Sequence, residues 1–113
     1  MSWQAQGFRA WFFQRLSAIY IVWCLLVVIV GLFTGAITSF DEWQHLFSSP
    51  VVNILVLLFF IAIMVHAWVG IRDIVIDYVH YAAARLIVLN LLMLFLISMS
   101  VWITYILLSL VEL

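Results

Sequence analysis

Apolar residues run through this chain in three long blocks rather than in an alternating or one-faced pattern. No charge falls within residues 16–40 or 86–111, and residues 51–71 carry none except a possible one on His66. A helix rising ~1.5 Å per residue needs ~20 apolar residues to cross a ~30 Å hydrocarbon core. The pattern therefore predicts an all-α integral membrane protein with three transmembrane helices, at residues 16–40, 51–76 and 85–111. Residues 1–113 are then expected to form a single membrane domain with no soluble domain beside it. The first block is too long for the apolar part of a signal peptide, and Trp and Arg precede it. A mitochondrial transit peptide would be longer and richer in Arg and Ser, so the chain reads as bacterial.

The polar positions between the blocks set the connections. Ser39-Phe40-Asp41-Glu42 reads as a capping box with Glu42 at N3. It predicts a short helix lying in the outer interface, with Phe40, Trp43, Leu46 and Phe47 as its apolar face. Ser49 and Pro50 suit the N-cap and first position of the second span. Residues 3–14 mix Trp, Phe and Gln and are expected along the inner interface. Trp3, Trp11, Trp43 and Trp68 suit the aromatic belts of a bilayer.

Composition narrows the class. Of the 113 residues 70% are hydrophobic and 8% charged, against ~45–50% and ~25% in average soluble domains. So few charges cannot cover a soluble globule of this length, which excludes a soluble enzyme and a disordered tail. Four Arg, no Lys and a net charge of −1 leave no footprint for nucleic acid. The lone Cys24 cannot form an internal disulfide. The arginines set the expected orientation: Arg9 and Arg15 precede span 1, and Arg72 and Arg85 flank the connection between spans 2 and 3. Asp41 and Glu42 occupy the other connection, and Glu112 lies at the far end. The positive-inside rule then puts the N-terminus in the cytoplasm and the C-terminus in the periplasm.

One residue asks for a functional reading. His66 is the lone histidine well inside a span, and polar groups at that depth are costly. Three readings compete: a histidine bonded to a backbone carbonyl, a proton relay, and a haem axial ligand. A relay usually needs carboxylates deep inside the spans, and the stretches 16–40, 51–71 and 86–111 have none. His66, Gly70, Asp73 and Asp77, at i, i+4, i+7 and i+11, fall on one narrow helix face. Gly70 leaves room for a flat macrocycle or another helix one turn from His66. His45 and His80 lie in the connections, so a haem held by His66 takes its second ligand from another chain. Ser17, Thr34, Asn90, Ser98, Ser100 and Thr104 are expected to bond within their own helix or to a neighbour.

The segment His66-Ala67-Trp68-Val69-Gly70-Ile71-Arg72-Asp73, running on to Asp77-Tyr78, resembles the signature of the small hydrophobic membrane anchor subunit of succinate dehydrogenase, SdhD type. Arg15-Leu16-Ser17-Ala18 resembles the Arg-x-Ser/Thr-Ala motif that opens the first span in that family. The His-Arg-x-Thr-Gly element of the companion SdhC-type anchor is not present here. The resemblance covers nearly the whole chain.

It implies a bacterial inner-membrane protein that works within respiratory complex II. A flavoprotein subunit oxidises succinate, an iron–sulfur subunit passes electrons to ubiquinone, and two anchors dock them and hold a b-type haem. On this resemblance His66 would be one haem axial ligand and Arg15 would lie near a haem propionate. Tyr78 would hydrogen-bond a ubiquinone carbonyl, with Asp77 beside that site. Arg9, Arg72 and Asp73 receive no role. The chain would be non-catalytic by itself. The alternatives are a fumarate reductase anchor and a small structural or transport membrane protein.

Overall fold

A computed structural model describes residues 3–111, with side chains from Gly7 onward. The side chain of Trp3, expected in an aromatic belt, and the whole of Glu112 lie outside what is described. Four helices follow one another: α1 (Trp3–Phe33), α2 (Phe40–Ser48), α3 (Pro50–Tyr78) and α4 (Ala82–Leu110). α1, α3 and α4 are long and apolar enough to cross a membrane, which makes this a multi-pass membrane protein. They are hydrophobic on all sides, as lipid-facing helices are.

The span boundaries depart from the sequence expectation at both ends of α1. The helix is continuous from Trp3, so residues 3–14 are not a separate interfacial segment. Phe8 stacks near Trp11 and Phe12, with ring centroids 5.9 and 6.2 Å apart. The helix ends at Phe33 and not at residue 40, because Gly35 takes φ +72°. Gly35 N–H donates to Leu32 O at 3.3 Å and Ala36 N–H to Gly31 O at 3.1 Å. This pair of bonds is a Schellman C-cap, and the left-handed residue is best served by glycine. The apolar block ran on through Ile37 and Phe40, which hid the stop.

α2 starts where the capping box predicts. Ser39 Oγ accepts from Glu42 N–H at 3.2 Å. The reciprocal half is displaced by one residue, since the Glu42 carboxylate accepts from Thr38 N–H at 2.7 Å rather than from Ser39. Trp43, Leu46 and Phe47 are half-buried against the bundle, while Phe40 is exposed. Pro50 opens α3 at its first turn, where its missing N–H costs nothing.

α3 is the central helix. It packs against α1, α2 and α4, whereas α1 and α4 do not touch among the described residues. Few apolar side chains are buried: Val75, Leu96 and Leu107. Helices in lipid gain little from burying apolar surface against each other, and polar contacts and close packing hold them together. Those contacts sit at each junction. Tyr20 Oη donates to Leu55 O at 2.9 Å, joining α1 to α3. Asn53 Nδ2 donates to Leu107 O at 2.7 Å and to Phe47 O at 3.0 Å, joining α3 to α4 and α2. Ser100 and Thr104 of α4 bond within their helix as expected, to Leu96 O and Ser100 O. Asn90 does the same, donating to Leu86 O.

Candidate functional site

Where the first half of α1 faces the second half of α3, the two helices leave an open cleft of about 940 Å³. Its walls come from Ala10, Trp11, Phe13 and Ala18 on α1 and from Val69 and Ile76 on α3. Its polar lining is Arg9, Gln14, Arg15, His66, Arg72 and Asp73. Three arginines against one carboxylate make the cleft electropositive. Arg72 pairs with its chain neighbour Asp73 at 3.2 Å, although successive residues point to different faces of a helix. Both side chains are substantially exposed, so that pair is worth no more than ~1 kcal/mol. Among the described residues Arg9 and Arg15 have no acidic partner.

His66 sits in the cleft half-buried, with both ring nitrogens facing α1. Nδ1 lies 3.2 Å from Ser17 Oγ and Nε2 lies 3.5 Å from Gln14 Nε2. Ser17 Oγ also donates to Gln14 O at 3.0 Å. The Gln14 side chain is poorly held: its Oε1 is buried without a hydrogen-bond partner. A Cβ added to Gly70 would meet Gln14 Nε2 at 3.5 Å. The amide therefore occupies the notch that the missing side chain of Gly70 leaves one turn from His66.

The expected site residues fall into two groups. His66 and Arg15 share the cleft. Of the face running from His66 through Gly70, Asp73 reaches the cleft, and Asp77 lies beyond it. Tyr78 ends α3 with 76% of its surface exposed, and Asp77 is exposed beside it. Twelve helical residues put Tyr78 ~18 Å along the axis from His66. His45 and His80 are on α2 and in the connection after α3, away from the cleft.

Gln14 was not singled out from the sequence, and Ser17 was read only as a helix-bonding residue and as part of the Arg15–Ala18 motif, although these are the two side chains that meet His66. Ser17 does bond within its own helix, as expected, yet the same oxygen also faces α3. A signal was present. Gln14, Ser17, Tyr20 and Cys24 place the polar side chains of α1 at i, i+3, i+6 and i+10, which is one stripe.

Two comparisons bear on this arrangement. The sequence model of the succinate dehydrogenase/fumarate reductase transmembrane subunit matches residues 1–107. The chain is also similar to the succinate dehydrogenase hydrophobic membrane anchor subunit of Coxiella burnetii (strain RSA 493 / Nine Mile phase I). The two are 35% identical over 97 residues, which cover 86% of this chain and 84% of that relative.

Proposed function

Since this chain belongs to the succinate dehydrogenase/fumarate reductase transmembrane subunit family, we propose that it is one of two anchors of a bacterial inner-membrane succinate:ubiquinone oxidoreductase. A membrane anchor subunit of this family works within a complex, and an unrelated structural or transport protein is set aside. The finer assignment concerns what this anchor binds. Its role is to share a b-type haem with the second anchor, to help form the ubiquinone site, and to dock the iron–sulfur and flavoprotein subunits.

The observation that carries the reading is the electropositive cleft built around one imidazole inside a span. The residues present fit a haem. The notch at Gly70 leaves the helix backbone open to a flat ring, and its occupant, the Gln14 amide, has a buried oxygen with no partner to lose. His66 would supply the axial nitrogen, and Arg15 would face a propionate at the cleft's edge. The bound group supplies a one-electron carrier beside the quinone site. Because His45 and His80 lie away from the cleft, a second protein ligand would have to come from the other anchor.

Orientation follows from charge. Arg9, Arg15 and Arg72 gather at the cleft, and Arg85 donates to Val79 O at 3.2 Å in the connection at that same end. Asp41 and Glu42 lie on α2 at the opposite end. The arginine end is the cytoplasmic one by the positive-inside rule. Tyr78 then stands at the inner interface, where quinone from the bilayer and a peripheral iron–sulfur protein can both arrive. A fumarate reductase anchor is the second reading; the lone intramembrane His66 favours a haem-bearing form.

The test is an optical spectrum of the membrane complex purified through this chain. A reduced-minus-oxidised b-type signal, with flavin and iron–sulfur subunits co-purifying, is the expected result. A complex with those subunits and no haem signal would overturn the haem assignment.

A further inference from the structure

The contacts of His66 fix more than its position. Ser17 Oγ is buried, with 7% of the residue exposed, and it has two neighbours: Gln14 O at 3.0 Å and His66 Nδ1 at 3.2 Å. A hydroxyl carries one hydrogen and two lone pairs. A backbone carbonyl can only accept, so the contact with Gln14 O takes that hydrogen. The oxygen then has only lone pairs to turn toward Nδ1. Two lone pairs at 3.2 Å would repel, and an N–H on Nδ1 resolves the contact.

We infer that Ser17 is a positioning residue that holds His66 as the Nδ1–H tautomer, so that Nε2 presents its lone pair to the cleft. A neutral imidazole has one N–H, and placing it on Nδ1 leaves Nε2 as the ligating atom. The other neighbour agrees. Gln14 Nε2, a pure donor, faces His66 Nε2 at 3.5 Å, a geometry suited to an acceptor nitrogen and too long to compete with a stronger electrophile. One helix turn of α1 thus holds the ring by one nitrogen and screens the other with a side chain that can leave. Histidine ligands of metals commonly donate their second N–H to a fixed acceptor, which orients the ring and raises its basicity. Ser17 plays that part here, and its use as a ligand support rests on the reading of His66 as an axial ligand. The tautomer itself does not.

Two measurements keep the inference and that reading apart. The first uses the full chain in lipid bilayers, haem-free, with ¹⁵N-labelled histidine and His45 and His80 replaced by Gln. The His66 nitrogens are expected to report a protonated Nδ1 and an unprotonated Nε2, and Ser17→Ala is expected to mix the two tautomers. A protonated Nε2 in the unaltered Ser17 chain overturns the inference whatever His66 binds. The second uses the whole complex. Ser17→Ala is expected to keep a low-spin haem and raise its midpoint potential, because a less basic imidazole stabilises the oxidised iron less. Ser17→Thr, which keeps the hydroxyl, is expected to restore it. If the potential of Ser17→Ala does not move while His66→Leu abolishes the low-spin signal, the positioning role is overturned and the ligand assignment stands. A low-spin signal that survives His66→Leu overturns both the ligand assignment and the supporting role of Ser17.

Discussion

Asn53 reaches out of α3 to donate 2.7 Å to the Leu107 carbonyl, so a single buried amide ties the start of α3 to the end of α4. The same nitrogen donates to Phe47 O at 3.0 Å and holds the last turn of α2 against the bundle. With 6% of its surface exposed, Asn53 has no water to fall back on. Replacing it with Leu removes both bonds, and the interhelical term is worth about 0.5–2 kcal/mol in a membrane helix bundle. The expected outcome is a lower thermal midpoint for the detergent-solubilised complex. The haem spectrum should be unchanged, because the cleft lies at the other end of α3. An unshifted midpoint would mean that both carbonyls find other donors.

Orientation gives the second prediction. Gln44 on α2 and His80 in the connection after α3 are both exposed and lie at opposite ends of the bundle. In a Cys24→Ser background, Gln44→Cys should react with an impermeant thiol reagent added to the periplasmic side. His80→Cys should react only after the cytoplasmic side is opened. The reverse pattern would refute the arginine-based topology.

Much of the fold is legible because lipid imposes one simple demand, a long run without charges, and the three blocks meet it. The element ends are less legible. Gly35 stops α1 through a backbone conformation that the apolar residues around it conceal. Residues 3–14 carry enough polar character to read as interfacial, yet they continue the helix without a break. Within the site, His66 stands out because an imidazole is expensive among lipid-facing residues. Ser17 does not stand out, since a serine in such a helix usually satisfies itself on its own backbone, and this one does. Its second contact depends on which face of α1 meets α3, and in a helix this apolar that face is marked only by the sparse stripe of Gln14, Ser17, Tyr20 and Cys24.

The haem assignment makes a third prediction, on charge and ligation separately. His66→Leu keeps similar bulk and removes the axial nitrogen, so the complex should lose its haem or hold it high-spin. Arg15 lines the same cleft without touching the imidazole contacts. Arg15→Leu should therefore leave a low-spin spectrum and lower the midpoint potential, because a nearby positive charge favours the reduced state. Redox titration of both variants checks this. A potential unmoved by Arg15→Leu would place that arginine away from the propionates.

The last prediction concerns Tyr78, which stands at the end of α3 with most of its ring exposed. A quinone is mostly apolar and has two carbonyl oxygens that become hydroxyls on reduction. A site for it must hold the ring at the membrane edge and direct a donor at an oxygen that gains negative charge as electrons arrive. Tyr78 has the required O–H on a rigid ring, ~18 Å of helix beyond His66 and toward the arginine end. Its neighbour Asp77 is exposed as well and is available to orient a partner or to pass a proton from the aqueous side. Tyr78→Phe retains the ring and removes only the hydroxyl. A hydrogen bond to a group developing charge is worth about 1.5–3 kcal/mol, or roughly tenfold to a hundredfold in rate. Succinate–ubiquinone turnover should fall by about that factor. Succinate oxidation by an artificial acceptor at the soluble subunits should stay near normal, and haem content should not change. Equal losses in both assays would assign Tyr78 to assembly, and unchanged quinone turnover would reduce it to an interfacial anchor.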